Sequence, residues 1–540
     1  VLVLLLAFLK IYSNSFDEKV SLVGDNASYY ILGNAIANGD SYSNIQHIEQ
    51  EAHYHYPPGY PLLIASVIHI FSDDVSNIKL LNGVLFFGSV LLLFFIIKQL
   101  TQNYHIAFAS CFIILLNYHL LVYATIMMSE IPFLFFSMLC LWLFLKLDFN
   151  KPVFKNWHFF ALLLCLSFSF YIRSVALALF VSLGAFLLYK KQWRYLFSLV
   201  GGFILLYLPW IIRNSHSTQN SYLHQLSLKN PYQPELGSIG FSDIFDRILV
   251  NMERYITKEI PSGIIYSKDI LYTDTAATMM EWFVGLLILG VIFFGVLKLP
   301  KMRLFILLYI IAFGSLLMLW PHVWYGTRFL LPFIPLLIFL FIFGIAEIFK
   351  LLNSLVFPKQ KKYLTPLAML LILGFWSVSY GTNAINKLQE QAKGVYTNNY
   401  QNYFELAEWI HKNADENSVT CVRKENLFYL FSKKYVTSYQ HTLDREAQIE
   451  YLKSKQVDYV VVEQLGYSSS HNYLVPVIDR YPKKFKIIKE LKNPNTYLMQ
   501  FLPELGYWGE WENDKRNGLG TYVWEDGQKY IGYWKNDVRH

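Results

Sequence analysis

The sequence predicts a mostly α fold: a polytopic transmembrane helical bundle to about residue 385, a small exported α/β domain over 386–503, and a β-hairpin tail over 504–540. Three observations carry that prediction. Of the 540 residues 54% are hydrophobic and only 16% charged, with a mean hydropathy of +0.31, too apolar for a soluble globule of this length. Apolar stretches near the spanning length of roughly 17–25 residues recur through the first part of the chain. The basic residues between them collect in alternate loops, as they do on the cytoplasmic side of membrane proteins.

The first apolar run, Val1 to about Ile11, is too short to cross alone. No basic n-region or small-residue cleavage site precedes Asp17, so a truncated first span is expected rather than a signal peptide. Next, "SLVGDNASYYILGNAIANG" (21–39) reads as a short helix opened by Asp25 and closed by Gly39. Further apolar stretches lie at 78–98, 105–125, 131–147, 174–189, 195–212, 282–298, 303–320, 329–349 and 364–384, with a shorter one at 157–172. Lys98, Lys146, Lys151, Lys155, Lys190, Lys191, Arg194, Lys298, Lys301, Arg303, Lys350, Lys359, Lys361 and Lys362 mark the cytoplasmic loops. Eleven spans starting inside then leave residues 13–77, residues 213–281 and everything after about 385 outside. The formal net charge of +7 is mostly this bias and does not argue for a nucleic-acid partner. Cys111, Cys140 and Cys165 sit in apolar runs and Cys421 stands alone beyond them, so no intramolecular disulfide or cysteine metal site is expected.

In the exported part, "YFELAEWIHKN" (403–413) and "DREAQIEYLKSKQ" (444–456) have helical spacing, while "SVTCVR" (418–423) and "VDYVVVE" (457–463) read as strands. The tail repeats itself with a period of 23, matching Tyr507 with Tyr530, Gly509 with Gly532, Trp511 with Trp534 and Arg516 with Arg539. Between the copies, "GTYVWEDGQ" supplies an alternating strand and a turn at Asp526-Gly527. The unit resembles the MORN repeat, a β-hairpin module. Since one hairpin cannot bury its own face, further repeats are expected beyond His540.

The predicted topology gathers five polar features at the outer face. They are the stretch at Asp25, "HYHYPPGYPLLIA" (53–65), "MMSEIPFLFF" (127–136) with Glu130, "LPWIIRNS" (208–215), and "PHVWYGTRFLLPFIP" (321–335). In this order they resemble the GT-C fold of polyprenyl-phosphate-sugar-dependent glycosyltransferases, near the protein O-mannosyltransferases and lipid A aminoarabinose transferases, over about residues 1–385. The resemblance implies a catalytic carboxylate at Asp25 and a second acidic site residue at Glu130. Many members carry an acidic pair in the first outer loop where this chain has Asp25-Asn26, so the resemblance does not extend to a metal site. A divalent metal ion stays open as a cofactor that the sequence itself does not indicate.

The chemistry such a site needs is a carboxylate base near the attacking acceptor and cations near the leaving phosphate. Asp25 is the candidate base, and Arg173, Arg213 and Arg328, each near the outer end of a span, are candidates to hold the donor phosphate. Each has a plainer local reading. Asp25 and Glu130 can cap helices, and Arg213 and Arg173 can anchor helix ends by snorkelling. His53 and His55 can ligate a metal with Asp25 or pack with Tyr54 and Tyr56 as an interfacial aromatic cluster. The expected function is transfer of a sugar from a polyprenyl-phosphate donor to a lipid, glycan or protein acceptor, among membrane lipids, on the outer face of a bacterial-type inner membrane. The exported α/β domain is read as a cap or acceptor-binding module and the tail as a partner or lipid-surface element. A transporter or flippase is the rival; it uses paired half-repeats and helices broken at mid-membrane, neither of which is read here. A scaffold presenting the exported parts is the third reading.

Overall fold

A computed structural model describes residues 1–22, 25–215, 222–231, 236–266, 269–272, 276–356, 371–524 and 528–540. The predicted turn at Asp526-Gly527, the loop lysines Lys359, Lys361 and Lys362, and the start of the predicted span 364–384 lie outside the described residues. Two compact units emerge: Val1–Ala37 with His53–Lys393, and Asn38–Ala52 with Gly394–His540.

The first unit is helical. Val75–Thr101, Trp193–Asn214, Met279–Lys298 and Leu331–Leu352 are each long and apolar enough to cross a membrane. Tyr104–Leu115 and Tyr118–Ala124 make a fifth such element only as a pair bent by 63°. The break corrects the expectation of unbroken spans: Asn117 accepts the Leu120 N–H at 3.1 Å and donates to the Gly263 carbonyl at 2.8 Å, so its amide starts a new helix inside the apolar run. The stretches at 131–147, 157–172, 174–189 and 303–320 are the shorter apolar helices Glu130–Phe144, Trp157–Ile172, Ser174–Tyr189 and Arg303–Leu319. The expected eleven crossings are therefore not reached by helix length among the described residues. Only the stretch 131–147 runs past the end of its helix; the other three match theirs to within a residue, so the shortfall lies in the shortness of the stretches themselves.

Side-chain caps set several boundaries. Asp74 accepts from Ser76 N–H at 2.8 Å, Asn103 from His105 N–H at 2.8 Å, and Thr278 and Glu281 form a reciprocal capping box. The helix Ile334–Val356 runs through the middle of the unit, with Leu336, Ile338, Phe339, Leu340 and Ile342 buried among neighbouring helices. Met279–Lys298 crosses it closely because the contact is made of glycines. A Cβ on Gly295 would overlap the Leu340 carbonyl oxygen, and one on Gly344 would overlap that of Val291.

The second unit holds a five-stranded sheet of β1 (Val419–Cys421), β2 (Tyr435–Thr437), β3 (Val457–Val462), β4 (Phe485–Leu491) and β5 (Thr496–Phe501), in the order β2-β1-β3-β5-β4. β1 pairs in parallel with β2 and β3, and β5 pairs antiparallel with β3 and β4. The segment Asn38–Ala52, far off in sequence, joins this unit: Gln46 donates to Asn426 at 2.9 Å, its carbonyl takes the Val436 N–H at 2.8 Å, and Glu49 pairs with Lys455 at 2.8 Å.

The tail forms an antiparallel meander, β6 (Gly506–Glu512), β7 (Lys515–Val523), β8 (Lys529–Lys535) and β9 (Val538–Arg539). Its repeat is visible in the bonding. Tyr507 donates to the carbonyls of Glu510 and Asn517, and Tyr530, one period later, donates to those of Tyr533 and His540. Both tight turns, Asn513-Asp514 and Asn536-Asp537, have positive φ at both positions, the geometry of a two-residue hairpin turn.

Candidate active site

Four of the five predicted site residues meet, each delivered by a helix end. Asp25 precedes the helix Asn26–Ala37, and its carbonyl accepts the first backbone bond of that helix from Tyr29 at 3.0 Å. Glu130 is the first residue of the helix Glu130–Phe144, wholly buried. Arg173 is the single extended residue between the helices Trp157–Ile172 and Ser174–Tyr189. Arg328 sits in the short turn Thr327–Phe329 after Gly326, whose φ of 121° favours glycine.

The Pro57-Pro58-Gly59 segment shapes the surroundings of Arg173. It opens the short helix Gly59–Ile70, and a Cβ on Gly59 would lie 2.6 Å from the Tyr171 carbonyl carbon, so only glycine lets that helix start against the backbone leading into Arg173.

The four charges alternate. Arg328 Nη2 donates to Asp25 Oδ2 at 3.0 Å, Arg328 Nε lies 3.3 Å from Glu130 Oε1, and Arg173 Nη1 lies 2.8 Å from the same Glu130 oxygen. Burial works against the charge of Arg328, but Glu130 and Asp25 outweigh it and hold the guanidinium more basic than usual. A carboxylate as deeply buried as Glu130 is tolerable only with such partners. Among the described residues its Oε2 has no hydrogen-bond partner, leaving acceptor capacity on that side.

Two further groups, which the sequence reading did not single out, complete the cluster. Ser129 Oγ accepts from Arg173 Nη1 at 2.9 Å and lies 3.1 Å from the Tyr29 hydroxyl, whose ring packs edge-on against Tyr60. Ser129 could have been found as the neighbour of Glu130; Tyr29 carries no local signal.

Arg213 is placed elsewhere, at the end of the helix Trp193–Asn214. It donates to the His53 carbonyl at 2.6 Å and lies over the rings of Tyr54 and Trp210. His53 stacks on Tyr56 and accepts that residue's N–H at 2.9 Å. Burial, with His55 and Arg213 nearby, lowers the imidazole to about 3, so it is neutral near pH 7. These contacts make the histidines part of a packed loop. Among the described residues, no three His, Cys, Asp or Glu side chains come together as a metal site.

Comparison with known proteins agrees with the likenesses read from the motifs. A family model described as dolichyl-phosphate-mannose-protein mannosyltransferase matches residues 54–220, and MORN repeat models match 507–529 and 530–540. No curated protein matches the chain. Among solved structures, the chain is similar to ArnT from Cupriavidus metallidurans bound to undecaprenyl phosphate, with 11% identity, a TM-score of 0.58, and 92% of this chain and 97% of that one covered. It is also similar to the oligosaccharyltransferase AglB from Archaeoglobus fulgidus in complex with an inhibitory peptide and a dolichol-phosphate, with 11% identity, a TM-score of 0.55, and coverage of 99% and 74%. At such identities the likeness establishes a shared fold.

Proposed function

We propose that the chain is an integral-membrane glycosyltransferase that takes a sugar from a polyprenyl-phosphate-linked donor and passes it to a lipid, glycan or protein acceptor. The reaction runs at the extracytoplasmic face of a bacterial-type inner membrane, with an eleven-span topology and the exported parts on the same side. The observation that carries this reading is the alternating run Asp25, Arg328, Glu130, Arg173, which joins two carboxylates to two guanidiniums at the ends of apolar helices. The fold shared with ArnT and AglB, seen with undecaprenyl phosphate and dolichol-phosphate, supports it.

In this mechanism Asp25 accepts the proton of the acceptor hydroxyl or amine as that group attacks the anomeric carbon. The new bond to the acceptor forms as the bond from the anomeric carbon to the phosphate oxygen breaks, and the polyprenyl phosphate leaves with that electron pair. Arg328 and Arg173 stabilise the charge gathering on the phosphate, with Glu130 fixing the spacing of the two forks. Arg213 is the outlying phosphate candidate, tied to the 53–54 loop. The α/β domain serves as a cap or acceptor module, and the MORN-like tail as a partner or lipid-surface element.

The test is transfer by the Asp25→Asn variant. Asparagine keeps the shape and a hydrogen-bond acceptor but not the base, so transfer falls by about 10²- to 10⁴-fold. Mass spectrometry of glycolipids and glycoproteins from cells making either form reads out the missing product and names the sugar. Near-normal transfer in this variant removes Asp25 from the mechanism, and solute uptake by proteoliposomes without transfer favours a transporter.

A further inference from the structure

We infer that Glu259, clamped by Arg254, is a positioning residue that sets the Arg328 guanidinium for the donor phosphate. This inference rests on the proposed transferase reading.

Glu259 lies in the segment between Trp193–Asn214 and Met279–Lys298, at the end of the wide turn Tyr255–Glu259 that follows the helix Phe241–Arg254. That helix is strongly amphipathic: Phe241, Phe245 and Leu249 are exposed, while Arg247 and Asn251 are buried. A charged residue in such a stretch is ordinarily a solvated one. Glu259 instead has no exposed surface. Burial raises its carboxyl above the usual range, against the pull of Arg254. A buried carboxylate persists when its partners are held in place, and these partners lead to the loop carrying Arg328.

Glu259 Oε1 lies 3.1 Å from Arg254 Nε and accepts from the Tyr272 hydroxyl at 3.3 Å and from the Gly326 N–H at 3.4 Å. Arg254 in turn donates to the His322 carbonyl at 2.7 Å. One ion pair thus grips both ends of the stretch from His322 to Gly326. Gly326 then accepts the Phe329 N–H at 3.2 Å, closing the turn in which Arg328 sits. The base of the loop is fixed from the same helix, where Asn251 donates to the carbonyls of Leu317, Met318 and Trp320. Tyr325 packs on Tyr272 at 4.4 Å between ring centres, covering the pair. Arg328 lies two residues beyond the Glu259 bond. Gly326 holds a φ of 121° that favours glycine, and a rotation there, once the Glu259 bond is lost, would move the guanidinium away from Asp25 and Glu130.

The experiment measures two things in the full chain: binding of a polyprenyl phosphate alone by native mass spectrometry, and the KM values for donor and acceptor. Glu259→Gln keeps an acceptor for Gly326 and Tyr272 but loses the charge that holds Arg254. It is expected to weaken polyprenyl-phosphate binding and raise the donor KM by about 10- to 100-fold, leaving the acceptor KM within about twofold. In an Arg328→Ala background the same substitution adds little, because the guanidinium it positions is gone. Tyr272→Phe, which removes one hydroxyl only, gives a smaller change of the same sign and covers the case in which Glu259→Gln does not fold. Additive effects with Arg328→Ala, or equal changes in both KM values, overturn the inference and leave the transferase reading intact. A wild-type chain that binds no polyprenyl phosphate overturns the transferase reading and this inference with it.

Discussion

Arg328 and Asp25 stand 303 positions apart in the chain, and their side chains meet at 3.0 Å. Without donor, the guanidinium neutralises the carboxylate that the proposed reaction needs as a base. On the proposed reading, an arriving phosphate would compete for Arg328 and loosen that hold, so donor binding and activation of Asp25 would be coupled through one side chain. Arg328→Ala therefore raises the donor KM more than the acceptor KM. Arg328→Lys does not restore it, since a point charge cannot offer Nη2 to Asp25 and Nε toward Glu130 together. Steady-state kinetics with both substrates varied checks this; equal effects on the two KM values assign Arg328 a structural role.

Glu130 sits between two guanidiniums with no exposed surface. Replacing it with alanine removes the carboxylate that Arg328 and Arg173 share and leaves Asp25 to balance Arg328; breaking such a buried pair costs about 3–5 kcal/mol. Thermal unfolding in detergent is expected to show a clear drop for Glu130→Ala and a smaller one for the double variant Glu130→Ala with Arg173→Met, because the second change removes one stranded charge. Strict additivity of the two losses counts against the bridge as drawn.

The buried imidazole of His53 gives a pH dependence whose sign follows from its shift. Unfolded, it binds a proton near the ordinary value of about 6.5; folded, burial holds it at about 3. Between those values the unfolded state carries the extra proton, so the stability contributed is full above about 6.5 and is lost as pH falls toward 3. His53→Asn, which keeps a neutral acceptor for the Tyr56 N–H, is expected to flatten the decline in unfolding temperature between pH 7 and pH 5. An unchanged slope assigns the acid loss to another group.

Local sequence alone reads Asp25 and Glu130 as helix caps, and it is the resemblance in the order of the motifs that singles them out, whereas Arg173 and Arg328 are singled out because a span end with arginine suits a phosphate. Ser129 and Tyr29 were not legible, since polar and aromatic residues are ordinary at a helix start and their role arises only once three helices converge. Glu259 was hidden for the opposite reason: its sequence context is that of a wetted helix, and its partners include a loop 67 residues on. The strands β4 and β5 were missed because β4, "FKIIKEL", mixes lysines into both faces. The repeat of the tail was visible in its matched Tyr, Gly, Trp and Arg positions, but the turns at Asn513-Asp514 and Asn536-Asp537 were not read from it, although Asn-Asp recurs at the same spacing.

The crossing of Met279–Lys298 on Ile334–Val356 offers a packing test far from any charge. A methyl group on Gly295 meets the Leu340 carbonyl oxygen, a backbone atom that cannot turn aside, so the helices must separate along a well-packed seam. Gly295→Ala is expected to cost about 1–3 kcal/mol, the range for overfilling a close-packed site. Gly290, on the same helix, has open space where its Cβ would be. There the same substitution removes the backbone freedom of glycine without a clash, and Gly290→Ala is expected to gain about 0.5–1 kcal/mol. Unfolding of the two variants in detergent separates these outcomes. If both move in the same direction, the seam is not set by the glycines, and the central helix is held by its leucine, isoleucine and phenylalanine contacts alone.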